Sequence, residues 1–108
     1  MNKKIEFDYD GTHYTLEYNR NSVALMEKQG FCVEDFGKKP MLMLPLAFEG
    51  LFYKNHKTVS RDTIEKIYDK MMNKEKLMQM IAEMLNETYT SLQSEPTAKE
   101  GNIEWKIL

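Results

Sequence analysis

Between residues 41 and 53 the chain reads MLMLPLAFEGLFY, with one charge, Glu49, and no polar face. A helix that is apolar all the way round must be covered on every side, because no face of it is cheaply hydrated. That requirement constrains everything else: the remaining elements have to be amphipathic and have to assemble around this stretch. Its roughly 13 residues fall short of the about 20 needed to cross a bilayer, and Lys38, Lys39 and Lys54 bracket it, so a buried central helix is expected and a membrane span is not.

The chain has 108 residues, enough for one modest core. Its 15 basic and 17 acidic residues leave a formal charge of −2, which argues against the strong positive surface that drives nucleic-acid binding. One cysteine, Cys32, cannot form an internal disulfide, and the N-terminal MNKKIEFDYD lacks an apolar signal region, so an intracellular setting is expected. Cys32, between Phe31 and Val33, reads as a small buried hydrophobe rather than a reactive thiol. Nine methionines suit an irregular core first, and a surface that accepts varied partners second.

The fold class expected is α+β and mostly helical: an N-terminal β-hairpin on a bundle of about four helices, forming a single domain over residues 1–94, with a flexible tail over 95–108. Residues 4–18 form the hairpin, in which Ile5, Phe7 and Tyr9 alternate on one side of Asp10-Gly11 and Tyr14, Leu16 and Tyr18 on the other. Those six share a face, and Glu6, Asp8, Thr15 and Glu17 fall towards solvent. A helix over about 20–29 is capped by Asn19 or Asn21 and ended by Gly30, with Phe31 closing the cap.

The central helix is placed at about 41–54. Pro45 should kink it or delay its start to Leu44, and Gly50 marks a close helix crossing. Glu49 is expected to reach the rim or to pair with a lysine. Ser60 caps a helix over about 61–72 whose Ile64, Ile67, Tyr68, Met71 and Met72 form its apolar face.

Asn73 caps the last helix, about 74–94, whose apolar face is wider than one neighbour needs. Leu77, Ile81 and Leu85 lie at its middle and are expected to meet the central helix. Met80 and Met84 lie on one edge, Met78 and Tyr89 on the other. Residues 95–102 read as a polar linker after Pro96. Ile103, Trp105 and Ile107 then alternate like a short strand that docks either on the chain's own hairpin or on another molecule. Met78, Met80, Met84, Tyr89, Trp105 and Ile107 are therefore the candidate partner-binding residues. Self-association into a homo-oligomer is expected from the last helix and the hairpin edge.

No catalytic constellation is visible. His13 and His56 read as surface histidines with no metal-ligand spacing around them, and nucleotide-binding and nucleophile-elbow motifs are absent. No enzyme activity, cofactor or metal is expected.

The run FDYDGTHYTLEYNRNSVALMEKQGF, followed by KPMLMLPLAFEGLFYKNHKTVSRDTIEKIYDKM, resembles small proteins from the tail gene clusters of long-tailed bacteriophages and prophages, the tail assembly chaperones. The resemblance covers about residues 5–92 and lies in the order of elements and in phrases such as YTLEYNRNSV, MEKQGF and LPLAFEGLFY. It implies a non-enzymatic protein of the host cytoplasm, absent from the mature virion, that binds the long helical tape measure protein and helps recruit tail tube protein. Such chaperones are often also made as a longer, frameshifted product. Alternatives are a structural tail component that remains in the particle and, less favoured by the acidic balance, a small nucleic-acid-binding regulator.

Overall fold

A computed structural model describes residues 3–94, 101 and 103–108. It shows an α+β fold: two antiparallel strands followed by four helices. The linker expected over 95–102 lies outside the described residues except for Gly101. No helix among the described residues is long and apolar enough to cross a membrane.

Strands β1 (Ile5–Tyr9) and β2 (Thr12–Leu16) pair with Phe7 opposite Tyr14 and Ile5 opposite Leu16. Asp10 and Gly11 both take positive φ, 50° and 80°, as the tight two-residue turn requires. The alternating face is the inner one: Tyr14, Leu16 and Tyr18 are buried, and Ile5, Phe7 and Tyr9 pack against the core. Phe7 stacks on Tyr14, which meets Phe52 edge-on at 5.9 Å.

Glu17 departs from the expected pattern. It is 4% exposed, holding Lys54 Nζ at 2.9 Å and Asn55 Nδ2 at 2.9 Å, because the chain after the central helix folds back along β2 and covers it. Burial pushes the Glu17 carboxyl up, but hydrogen bonds from Lys54 and Asn55, with the Lys54 charge, outweigh it and leave the group below its ordinary value. His56 is likewise not a free surface group. Its Nε2 accepts a hydrogen bond from the Thr15 N–H at 3.0 Å, and its ring lies 4.8 Å from that of Tyr14.

Helix α1 (Arg20–Lys28) starts with a reciprocal capping box between Asn19 and Ser22. It ends at Gly30, φ 106°, with Phe31 N–H donating to the Met26 carbonyl and Gly30 N–H to that of Glu27. That pattern is the left-handed termination glycine favours, and the buried Phe31 closes it.

Helix α2 (Pro40–Gly50) is continuous through Pro45, and residues 51–55 follow as turns rather than as more helix. Its C-terminal half and the turn that follows are the centre of the core: Ala47, Phe48, Leu51 and Phe52 are all 2% exposed or less. Gly50 faces Met26 of α1, and a Cβ there would overlap the Met26 Sδ and Cγ, so the two helices cross at the glycine. Tyr18 donates its hydroxyl to the Ala47 carbonyl, and burial raises its pKa.

Helix α3 (Arg61–Lys70), capped by Ser60, buries Ile64 and Ile67. The helix stops before Met71, which turns extended, and Met72 is left 86% exposed instead of joining the apolar face. Helix α4 (Lys74–Thr90) follows. Asn73 precedes it in the left-handed region and makes no side-chain cap; the Lys74 ammonium instead donates to the Met71 carbonyl at 2.7 Å.

The wide face of α4 meets two neighbours, and its chief helical partner is α1 rather than α2. Tyr89 donates to Glu27 of α1 at 2.8 Å and Arg20 Nε to Ser91 Oγ at 3.2 Å. On the other flank Lys3, just before β1, pairs with Glu83 at 2.7 Å.

Candidate functional site

The stretch expected to be covered on all sides is covered on only part of its length. Along the first two turns of α2, Met41 is 87% exposed and Leu42 64% exposed, and Pro45 also faces solvent. The physical reason is the position of α3. It is held to α2 through long side chains, Tyr68 edge-on to Phe48 at 5.2 Å and Arg61 bridging to Glu49, so a gap remains between the two helices.

That gap is a groove of about 750 Å³, with Met41, Leu42, Pro45, Phe48, Ile64 and Tyr68 among its walls. Pro45 has no N–H to give the Met41 carbonyl, so one acceptor at the groove wall lacks its helical donor. A channel walled mainly by apolar side chains suits the stripe of an amphipathic helix better than it suits a small polar ligand.

Charge is confined to the rim. Arg61 grips Glu49 through two hydrogen bonds, 3.0 Å from Nε and 3.2 Å from an Nη, and Glu49's hydrogen bond and charge raise the Arg61 pKa further. Tyr53 donates to Gln29 at 2.7 Å and lies 3.3 Å from Glu49; burial and then the Glu49 charge raise its pKa. Glu49 thus reaches the rim and pairs with an arginine, where a lysine was expected. Glu65 and Asp69 also line the groove and form no ion pair among the described residues, so the rim is net acidic.

The candidate partner-binding residues are not gathered into one surface. Met84 is 2% exposed and belongs to the core, a correction to its placement on an open edge: α4 is flanked on both sides, so its apolar arc is consumed by packing. Met80 and Tyr89 pack half-buried against the same core, and Met78 is half-buried. Burial and the Glu27 carboxylate together raise the Tyr89 pKa. Trp105 and Ile107 lie apart from these, 79% and 88% exposed, on a segment that is not a docked strand.

Cys32, expected inside, is exposed, while its backbone N–H donates to Met43 Sδ at 3.4 Å. His13 lies at the surface 2.7 Å from Asp8. Among the described residues no group of three His, Cys, Asp or Glu side chains could hold a metal ion.

The groove was legible only in part. Met41 and Leu42 are apolar residues just after a proline helix start, which signals burial as readily as exposure. No curated protein and no solved structure matches the chain. A protein-family model does match, across residues 1–108, and the chain belongs to that family, DUF5055, described as a domain of unknown function.

Proposed function

We propose that this protein is a non-enzymatic tail assembly chaperone that holds an apolar helical segment of the tape measure protein in the groove between α2 and α3. The family resemblance of residues 5–92 supplies the biological setting. The observation that carries the reading is the uncovered wall of α2: Met41, Leu42 and Pro45 form an apolar strip on a helix otherwise built for burial. Helix-in-groove binding uses such a strip without a fixed sequence code, and methionine adapts to varied apolar partners.

The acidic rim sharpens the client's chemistry. An apolar stripe flanked by lysine or arginine would place its charges against Glu65 and Asp69, adding orientation to the apolar contact. The site residues Met78, Met80, Tyr89, Trp105 and Ile107 remain part of the proposal as secondary contacts. Recruitment of tail tube protein, host-cytoplasmic location and absence from the virion follow from the same reading.

Co-expression with a tape measure protein from the same genome tests the function. The expected result is a soluble complex of the two; an unchanged, insoluble client with no complex recovered refutes it. A structural component that stays in the tail is the second reading, since an open groove serves permanent assembly as well as transient binding. Mass spectrometry of purified particles separates them, because a chaperone is absent there.

A further inference from the structure

The two edges of the hairpin differ. Tyr9 and Thr12 flank the two-residue turn, so the pairs Tyr9–Thr12, Phe7–Tyr14 and Ile5–Leu16 share the ladder hydrogen bonds, and the backbone groups of Glu6, Asp8, His13 and Thr15 point outward. On the β2 side, beyond His13, those groups are taken. Thr15 N–H donates to His56 Nε2 at 3.0 Å, its carbonyl accepts from Asn55 Nδ2 at 3.1 Å, and Glu17 N–H donates to the Leu51 carbonyl at 3.3 Å. Along β1, nothing among the described residues takes the outward groups of Glu6 and Asp8. Beside them lies a notch of about 280 Å³ walled mainly by Phe7, Tyr9, Ile67, Met71 and the 86%-exposed Met72, with Asp8 and Lys70 at its margin. An open edge beside an apolar notch is a receptor for one more strand.

We propose that residues 103–108 of the same chain are that strand, adding to β1 in parallel. Ile103, Trp105 and Ile107 alternate, and all three are exposed, 85%, 79% and 88%. Added to β1, they fall on the same face as Ile5, Phe7 and Tyr9, with Ile107 at the notch.

Reach favours this occupant. Lys3 N–H donates to Glu87 Oε1 at 3.4 Å, which sets the start of β1 beside the last turns of α4. Ser94 is seven residues beyond Glu87, roughly 10–14 Å at helical rise. Eight residues then separate Ser94 from Ile103, a connection that spans up to about 27 Å. The start of β1 is therefore within reach of Ile103.

Charge selects the register. With Trp105 beside Ile5 and Ile107 beside Phe7, Glu104 falls next to Lys4 and Lys106 next to Glu6, opposite charges at both positions. Moving the segment two residues on sets Glu104 against Glu6. Tethering keeps the local concentration of the strand high, so the edge closes within one molecule before it pairs with a second.

Amide hydrogen exchange in the intact chain tests the proposal, with Trp105→Ala as the comparison, a substitution at an exposed position outside the core. Docking for nine-tenths of the time slows Glu6 and Asp8 amide exchange about tenfold relative to the variant, while the Phe7 and Tyr9 amides, already paired with β2, do not change. Equal rates at Glu6 and Asp8 in both chains overturn the proposal. Protection that rises with protein concentration also overturns it, because a second copy then supplies the strand. Lys106→Glu lowers the protection and Glu6→Lys combined with it restores it; failure to restore it refutes the register.

Discussion

Replacing Gly50 with alanine sets two effects of opposite sign against each other at one atom. At the last residue of α2, alanine is favoured over glycine by up to about 1 kcal/mol, the helix-interior value, through backbone entropy alone. The new methyl, however, occupies space held by Met26, whose Sδ and Cγ it overlaps and whose Cε lies at 3.3 Å. Met26 is fully buried, so its side chain has no solvent-side rotamer to retreat into. Overpacking of this kind costs about 1–3 kcal/mol, and with the helical gain subtracted Gly50→Ala is expected to destabilise by up to about 2 kcal/mol. In a Met26→Ala background the obstacle is gone, and the same substitution is expected to stabilise by up to about 1 kcal/mol. Urea unfolding followed by far-UV circular dichroism measures all four chains. A sign reversal between the two backgrounds is the predicted signature. Stabilisation by Gly50→Ala in the natural background would refute the close crossing of α1 and α2.

Other consequences are simpler. Asn19→Ala removes one half of the capping box and is expected to cost about 1 kcal/mol, read as a lower urea midpoint with an unchanged slope. The Glu17 carboxyl is held below its ordinary value of 4.5 in the folded chain, so its contribution is complete above that value and is lost as pH falls through the folded pKa. Glu17→Gln is expected to flatten the acid limb of a stability-against-pH profile, and an unchanged limb would contradict the buried Lys54–Asn55 pairing. Leu42→Asp, at a position 64% exposed, is expected to leave the thermal midpoint nearly unmoved, since surface substitutions stay within about 0.5 kcal/mol.

Local signals carried most of the fold. Alternation around Asp10-Gly11 specified the hairpin and its inner face, Asn19 and Gly30 bounded α1, and Gly50 pointed to a helix crossing. Each of these depends on a few neighbouring residues and a backbone conformation, which a sequence records directly. Coverage is a different matter, because it depends on which distant element arrives.

Met84 and Met80 occupy the same edge of α4, yet only Met84 is wholly enclosed. Glu17 alternates as a solvent residue should, but residues 51–56 fold over it. Cys32 sits between two hydrophobes and is exposed, because the turn after Phe31 directs it outward. For the groove the difficulty was symmetry: an all-apolar helix carries no azimuthal signal, so nothing in residues 40–50 marks which turns a neighbour leaves bare. The length of α3 and its stand-off through Tyr68 and Arg61 decide that.

The most direct test of the central claim is the affinity of the tape measure protein for the natural chain and for Leu42→Asp, measured side by side by calorimetry on folded protein. Burying a leucine side chain is worth about 1.5–3 kcal/mol, so placing a carboxylate on the groove wall is expected to weaken binding at least about tenfold. Equal affinity of the two chains would contradict the assignment of the α2–α3 groove as the client's seat.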